Sequence, residues 1–132
     1  MAPSPWLPNI EGVEIQSATG QLWPDGWVSR EVTLSCVAKA DLPGIELRGW
    51  NPDWCAAYAG NVTSLSVDNE RIATGPLYMG ELFTLRIERR ITSGQAFVIR
   101  IASEAARAGD ALDARERGVV MAQLTARVAA TQ

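Results

Sequence analysis

The feature that most restricts the fold of this chain is an alternation of apolar and polar side chains in two separate runs of residues. In the first run, polar Thr33 and Ser35 lie between apolar neighbours, which are Val32, Leu34, Cys36 and Ala38. In the second run, Thr84, Arg86 and Glu88 alternate with Phe83, Leu85 and Ile87. A period of two sends alternate side chains to opposite faces of a β-strand, whereas a helix repeats about every 3.6 residues. Both runs are therefore predicted to be strands with one buried and one solvated face.

Shorter runs with the same alternation occur elsewhere, separated by turn residues: Val13 and Ile15; Ile45 and Leu47; Leu65 and Val67; Phe97, Ile99 and Ile101. A last strand is predicted with five inward positions, which are Val120, Ala122, Leu124, Ala126 and Val128. Residues 103–118 contain good helix formers, but Gly109 and two aspartates weaken a helix, so a loop with at most a helical turn is predicted. Seven or eight short strands predict an all-β, two-sheet antiparallel β-sandwich, either immunoglobulin-like or jelly-roll.

A β-hairpin is predicted within the stretch SVDNERIATG. Val67 leads into Asp68 and Asn69, two residue types that tolerate turn geometry, and Ile72 begins the return strand. The tip of this hairpin is expected to be exposed.

The length of 132 residues fits one domain that buries its own core. Residues 1–12 contain Pro3, Pro5 and Pro8 and are predicted to be a linker, and residues 13–132 are predicted to form a single sandwich domain. A proline-rich opening of this kind is also typical of a segment between domains of a larger protein.

The charge pattern argues against nucleic acid as a partner. The net charge is -3 with a pI of about 4.9, and the basic residues are scattered, with Arg89 and Arg90 the densest pair. No stretch is apolar for the roughly 20 residues that a membrane helix needs, and the first residues lack the pattern of a secretion signal. The sequence therefore predicts a soluble, cytoplasmic chain with no membrane span.

The chain has few of the residues that enzymes use for catalysis. The chain has no histidine, which excludes Ser-His-Asp and Cys-His arrangements and the usual zinc sites, and no phosphate-binding glycine motif occurs. The remaining enzymatic alternative is a glycosidase-like pair of carboxylates, although the aspartates in the predicted loops are better explained as turn formers. Asp110 and Asp113 do not by themselves specify a calcium site. We therefore predict no enzymatic activity, no metal and no cofactor.

The two cysteines allow two interpretations. Cys36 lies on the apolar face of its predicted strand, where a free thiol behaves as a small apolar side chain. The alternative is a disulfide between Cys36 and Cys55, which would indicate an oxidising compartment.

The five tryptophans are the most unusual part of the composition, and all of them lie in the first half of the chain. Sugars are bound by stacking on aromatic rings while oriented polar groups take their hydroxyls. The stretch RGWNPDWCAAY supplies both kinds of group. With one further ring from the stretch WPDGW, the predicted ligand-binding residues are Trp54, Trp50, Trp23, Tyr58, Asp53, Asn51 and Arg48.

A tryptophan in a small sandwich is also often a buried pillar, because it removes about 150–250 Å² from water. Trp27 precedes an inward alternation and is predicted to plug the core, whereas Trp54 lies in a loop without apolar periodicity and is predicted to be exposed. For Trp23 and Trp50 both roles remain open, with Trp23 free to stay at the surface before its turn.

The order of several short motifs resembles the small β-sandwich accessory domains attached to bacterial glycosyltransferases and polysaccharide-assembly proteins. These domains share an early D-G-W, a strand ending in G-x-x-P, a V-D-G-type hairpin, a G-x-F strand and a terminal D-x-R-x-L-G-V. The corresponding positions are Asp25 to Trp27, Gly49 to Pro52, Val67 to Asn69, Gly80 to Phe83, which has one residue more than G-x-F, and Asp113 to Val119. The similarity spans roughly residues 20–128, with Asn69 in place of the hairpin glycine and Arg117 in place of the leucine before Gly118.

This resemblance implies a non-catalytic domain that works beside a sugar-handling enzyme, and it carries over no binding residues. Two functions are consistent with it. A carbohydrate-binding module would present its rings to a glycan or polysaccharide, whereas a structural or docking module would bury them or turn them towards a neighbouring catalytic domain.

Overall fold

The fold is described from a computed structural model, which covers residues 8–20, 22, 28–51, 58–104 and 120–126, the side chains of 120–123 excepted. Within these residues the chain forms eight strands: β1 (Val13–Thr19), β2 (Glu31–Ala38), β3 (Ile45–Trp50), β4 (Thr63–Val67), β5 (Glu70–Ala73), β6 (Leu82–Ile87), β7 (Ala96–Ser103) and β8 (Val120–Thr125).

The strands form two antiparallel sheets. One sheet has five strands in the order β1-β2-β7-β4-β5, and the other has three in the order β6-β3-β8. The predicted all-β, two-sheet antiparallel sandwich is therefore confirmed. Because β3 is central in the smaller sheet and pairs with both β6 and β8, its side chains have neighbours on both sides.

The predicted alternation also determines which side chains form the core. In β2 the four inward positions are buried, and in β6 Phe83, Leu85 and Ile87 are buried while Thr84 is exposed. Inward residues of both sheets join in one cluster, to which β3 and β7 contribute Ile45, Leu47, Phe97, Ile99 and Ile101. Burial of these apolar side chains between the two sheets is the main favourable contribution to stability.

Two details of the strands differ from the predictions. The hairpin turn is at Asp68 and Asn69, and both residues are exposed as expected, but the return strand begins at Glu70 rather than at Ile72. Positive φ occurs at Asp68 (52°) and not at Asn69, which stands where the similar domains have a glycine. The backbone N–H of Asp68 donates to the carbonyl of Val98 (2.9 Å), and its carboxylate accepts from the backbone N–H of Val98 (2.9 Å). These two bonds to β7 hold Asp68 in a conformation that aspartate tolerates better than most residues.

The last strand and the start of the domain also differ from the predictions. The register of the β3–β8 pair shifts between Arg48 and Gly49, so β8 does not keep a single register along its length. Leu124 and Ala126 are nevertheless buried, as predicted. At the other end, Ile10 is buried in the core and its carbonyl accepts from the N–H of Val13 (3.0 Å). The packed structure thus includes part of the segment predicted to be a linker.

A close backbone approach explains the glycine that follows β1. Gly20 has φ 81°, and a Cβ atom there would collide with the carbonyl oxygen of Glu31 at the start of β2. Glycine lacks this atom and adopts positive φ without strain. The end of β1 can therefore lie directly against β2.

Cys36 is a free, buried cysteine, in agreement with the first of the two interpretations, and its thiol lies 3.7 Å from the carbonyl oxygen of Leu34. Burial raises the pKa of the Cys36 thiol from 9.0 to about 11. Cys55 lies outside the described residues. Because the thiolate is the reactive form, Cys36 should be inert towards alkylation while the protein is folded.

We expect this thiol to make the folded state less stable at high pH. Between pH 9.0 and about 11 the native state retains a proton that the unfolded state has lost, so stability falls as the pH rises through this window. The contribution has a limiting slope of about 1.4 kcal/mol per pH unit. Urea unfolding at about pH 8 and about pH 10.5 should show a smaller loss for Cys36→Ala than for the unchanged protein. Equal losses in the two proteins would contradict the effect.

Candidate functional site

The candidate site is the solvent-facing side of the three-stranded sheet. Along β3, Ile45, Leu47 and Gly49 are buried, and the residues between them point away from the core. Register then sets their neighbours on β6: Glu46 lies opposite Arg86, Arg48 opposite Thr84, and Trp50 opposite Leu82. We call the surface made by these six residues, Glu46, Arg48, Trp50, Leu82, Thr84 and Arg86, the outer face.

Trp50 is at one end of the outer face, and 45% of its surface is exposed. Its cross-strand neighbour Leu82 is also exposed. Directly opposed side chains in an antiparallel pair have Cβ atoms about 4.5–5.5 Å apart, so these two residues form one apolar area. Of the two roles open for Trp50 in the sequence, the structure places the ring at the surface rather than in the core.

The other end of the outer face is a charged cluster around Glu46. This side chain is 4% exposed although it lies on the outer face, because two arginines cover it. Arg48 approaches Glu46 Oε1 through Nε at 2.8 Å. Arg86 donates to Glu46 Oε2 from Nε (3.0 Å) and from a terminal nitrogen (2.8 Å).

This arrangement fixes two guanidinium groups in place. A buried carboxylate is costly unless it is paired and hydrogen-bonded, and here Oε2 accepts two hydrogen bonds from Arg86 while Oε1 forms an ion pair with Arg48. Two arginines against one glutamate leave the cluster with one unit of positive charge. Arg48 remains half exposed, so part of its guanidinium faces solvent.

Two residues predicted to bind a ligand, Asn51 and Tyr58, are instead part of the interior. Both are 0% exposed, so neither side chain reaches a ligand at the surface. The side-chain amide of Asn51 donates to the carbonyls of Tyr58 (2.7 Å) and Tyr78 (3.1 Å), and its oxygen accepts from the amide of Asn61 (3.0 Å). Asn51 is therefore a buried hydrogen-bonding centre that holds chain segments together.

Asn51 also positions the turn that leads into β6. Its backbone N–H donates to the carbonyl of Glu81, and its carbonyl accepts from the N–H of Gly80, both at 2.8 Å. Tyr78 and Met79 lie in this turn and are exposed. The turn thus places further apolar side chains next to the strand end that carries Trp50.

An open cleft of about 420 Å³ lies between β5 and β6, each of which is the last strand at one side of its sheet. Leu82 and Thr84 of the outer face contribute to its lining, together with Ile72, Pro76 and Leu77. Of the predicted binding residues that the structure describes, which are Trp50, Tyr58, Asn51 and Arg48, none lines this cleft.

Three of the predicted binding residues, Trp54, Trp23 and Asp53, lie outside the described residues, as do Trp27 and the loop aspartates Asp110 and Asp113. Of the predicted set, the structure therefore brings Trp50 and Arg48 together on one surface. They lie two positions apart on β3, a distance of about 6.6 Å along a strand.

The site predicted from the sequence lacked Glu46 and Arg86. Alternation in IELRGW already places Glu46, Arg48 and Trp50 on one face, and this signal was available in the sequence. The pairing of Glu46 with Arg86 depends on a register between residues 40 positions apart, which no local pattern encodes.

In the described ranges, no three His, Cys, Asp or Glu side chains are grouped closely enough to hold a metal ion. The same residues include no helix with the length and apolar character needed to cross a membrane.

No protein-family model matches this sequence, and no curated protein matches it. Among solved structures, the chain is similar to the crystal structure of a ruminal GH26 endo-beta-1,4-mannanase, with 12% sequence identity and a TM-score of 0.43 over 99% of this chain. The chain spans 24% of the length of that protein. A likeness of this size assigns no activity, so function has to be argued from the outer face itself.

Proposed function

We propose that this chain is a non-catalytic β-sandwich module that binds glycans on its outer face, as an accessory to a glycan-handling enzyme. The observation that supports this proposal is the exposed ring of Trp50 beside the fixed guanidinium of Arg48 on one sheet surface. An aromatic ring stacks on the apolar face of a sugar, and guanidinium N–H groups donate to its hydroxyls. The accessory role follows the resemblance noted from the sequence motifs.

The outer face has two properties suited to a glycan. Strand β3 is the central strand of its sheet, so Trp50 and Arg48 are on a paired element rather than in a loop, and rigid elements hold binding groups more precisely. Trp50, Leu82 and Arg48 are also exposed on this surface, as contact with an extended polymer requires.

Replacing Trp50 with alanine is expected to weaken glycan binding about tenfold, because a stacked ring contributes on the order of 1–2 kcal/mol. Calorimetric titration against a panel of neutral and acidic polysaccharides measures this effect. Val98→Ala is the matched control, since Val98 is an exposed apolar residue on a strand of the other sheet. Thermal melts of both variants should remain close to that of the unchanged protein. If no polysaccharide in the panel binds the unchanged protein, the proposal is wrong.

The alternative is a structural or docking module of a larger protein. The exposed apolar side chains of Trp50, Tyr78, Met79 and Leu82 favour it, because clustered apolar surface is typical of contacts between proteins or domains. In that case the polysaccharide titrations should give no heat, and the same four side chains should become protected when the neighbouring domain is present.

A further inference from the structure

We propose that the outer face selects acidic glycans, and that Arg48 and Arg86 receive the carboxylate of a uronic acid residue. This inference rests on the proposed glycan-binding function and names the class of ligand. It depends on three features of the charged cluster: its net charge, its remaining hydrogen-bond donors and its rigidity.

The net charge of the cluster is opposite to that of the whole chain. The protein carries -3 overall, whereas the charges of Arg48, Arg86 and Glu46 sum to one positive unit. The nearest acidic residue along the chain, Glu88, is exposed and follows the end of β6, so it is not part of the cluster. A nearby carboxylate, Glu81, is engaged at the apolar end, where its Oε1 accepts from the backbone N–H of Tyr78 (2.8 Å). An anionic group is therefore favoured at the arginine end and disfavoured near Glu81.

Donors remain on both arginines after Glu46 has been satisfied. A guanidinium has five N–H groups, and Arg48 approaches Glu46 through Nε as an ion pair (2.8 Å). Among the described residues, its two terminal nitrogens have no recorded partner. Arg86 uses Nε and one terminal nitrogen, which leaves the other. A planar fork of this kind matches the two oxygens of a carboxylate and gives short, charge-assisted hydrogen bonds.

The guanidinium donors of Arg48 and Arg86 are also held in position before a ligand binds. Glu46 is buried and is itself fixed on the central strand, so the guanidinium groups lose little conformational freedom when a ligand arrives. The spacing fits as well, since Arg48 is two residues from Trp50 on the same side of β3. A sugar stacked on Trp50 would thus have its carboxylate, or that of the next sugar, next to Arg48.

The test compares polygalacturonate with the same polymer fully methyl-esterified, which retains the sugar rings and removes the charge. Calorimetric titration of the unchanged protein should show at least about tenfold tighter binding to the acid form, the size expected for hydrogen bonds to a charged group. This preference should shrink as salt is raised from about 50 mM to about 500 mM, because the site is solvent-exposed.

Arg48→Gln should remove the preference, because binding of polygalacturonate should weaken about tenfold more than binding of the ester, which loses only a donor to a hydroxyl. The matched control is Arg100→Gln on β7, which removes an equally exposed positive charge paired with Glu31 (2.7 Å) on the other sheet. Thr84→Asp is the second variant. It places a carboxylate opposite Arg48 without altering an arginine, and it should also abolish the preference.

The outcomes separate this inference from the proposed function. Equal binding of acid and ester by the unchanged protein, or an equal loss in Arg100→Gln and Arg48→Gln, would overturn the acidic selectivity. The glycan-binding function would still stand if Trp50→Ala weakened both polymers. Absence of binding to every polysaccharide would overturn both.

Discussion

Replacing Leu47 with alanine is expected to lower the free energy of unfolding by about 2–5 kcal/mol. Leu47 is completely buried on the central strand of the smaller sheet, where it lies between Leu85 of β6 and Leu124 of β8. The substitution removes buried apolar groups and leaves a cavity in the shared core, and both effects are unfavourable. Urea or thermal unfolding measures the loss.

The matched control is the same substitution at Leu82, which is on the adjacent strand and is exposed. Leu82→Ala should change stability by no more than about 0.5 kcal/mol, since surface substitutions away from special features rarely do more. Similar losses at the two positions would show that the inward and outward faces of this sheet have been assigned incorrectly.

The second large effect is expected at Asn51. Asn51→Ala removes one of the donors to the carbonyls of Tyr58 and Tyr78 and an acceptor of the Asn61 amide, so three hydrogen bonds are lost. Each hydrogen bond of this kind contributes about 0.5–1.5 kcal/mol, so the loss of three should lower the free energy of unfolding by about 2–4 kcal/mol. The effect should be concentrated in the turn at 77–81, whose backbone Asn51 also holds.

Asn51→Asp separates hydrogen bonding from side-chain volume. The aspartate has nearly the same shape, but an oxygen replaces the nitrogen that faces two carbonyls, and its negative charge is buried. We expect a loss no smaller than that of Asn51→Ala. Asn69→Ala, at the exposed tip of the β4–β5 hairpin, serves as the control and should be nearly neutral. A neutral Asn51→Asp would contradict the assigned amide orientation.

The candidate site could be predicted from the sequence in part. Trp50 and Arg48 were recognised because aromatic and polar side chains alternate in RGWNPDW. Asn51, one residue further along, was assigned to the same site and is buried, because the alternation ends where β3 ends and the chain turns into the interior. Tyr58 was assigned for its ring, and its burial depends on segments that are distant in sequence.

The alternation of apolar and polar residues was sufficient to predict an all-β sandwich, its inward residues in β2 and β6 and the burial of Cys36. This is a local property, because the pleat of a strand sends neighbouring side chains to opposite faces whatever the strand later pairs with. The order of the strands, the shift of register opposite Arg48 and the pairing of Glu46 with Arg86 depended on the tertiary structure. They join residues far apart in the chain, and their energies depend on how two whole sheets pack together, which no short pattern of residues specifies.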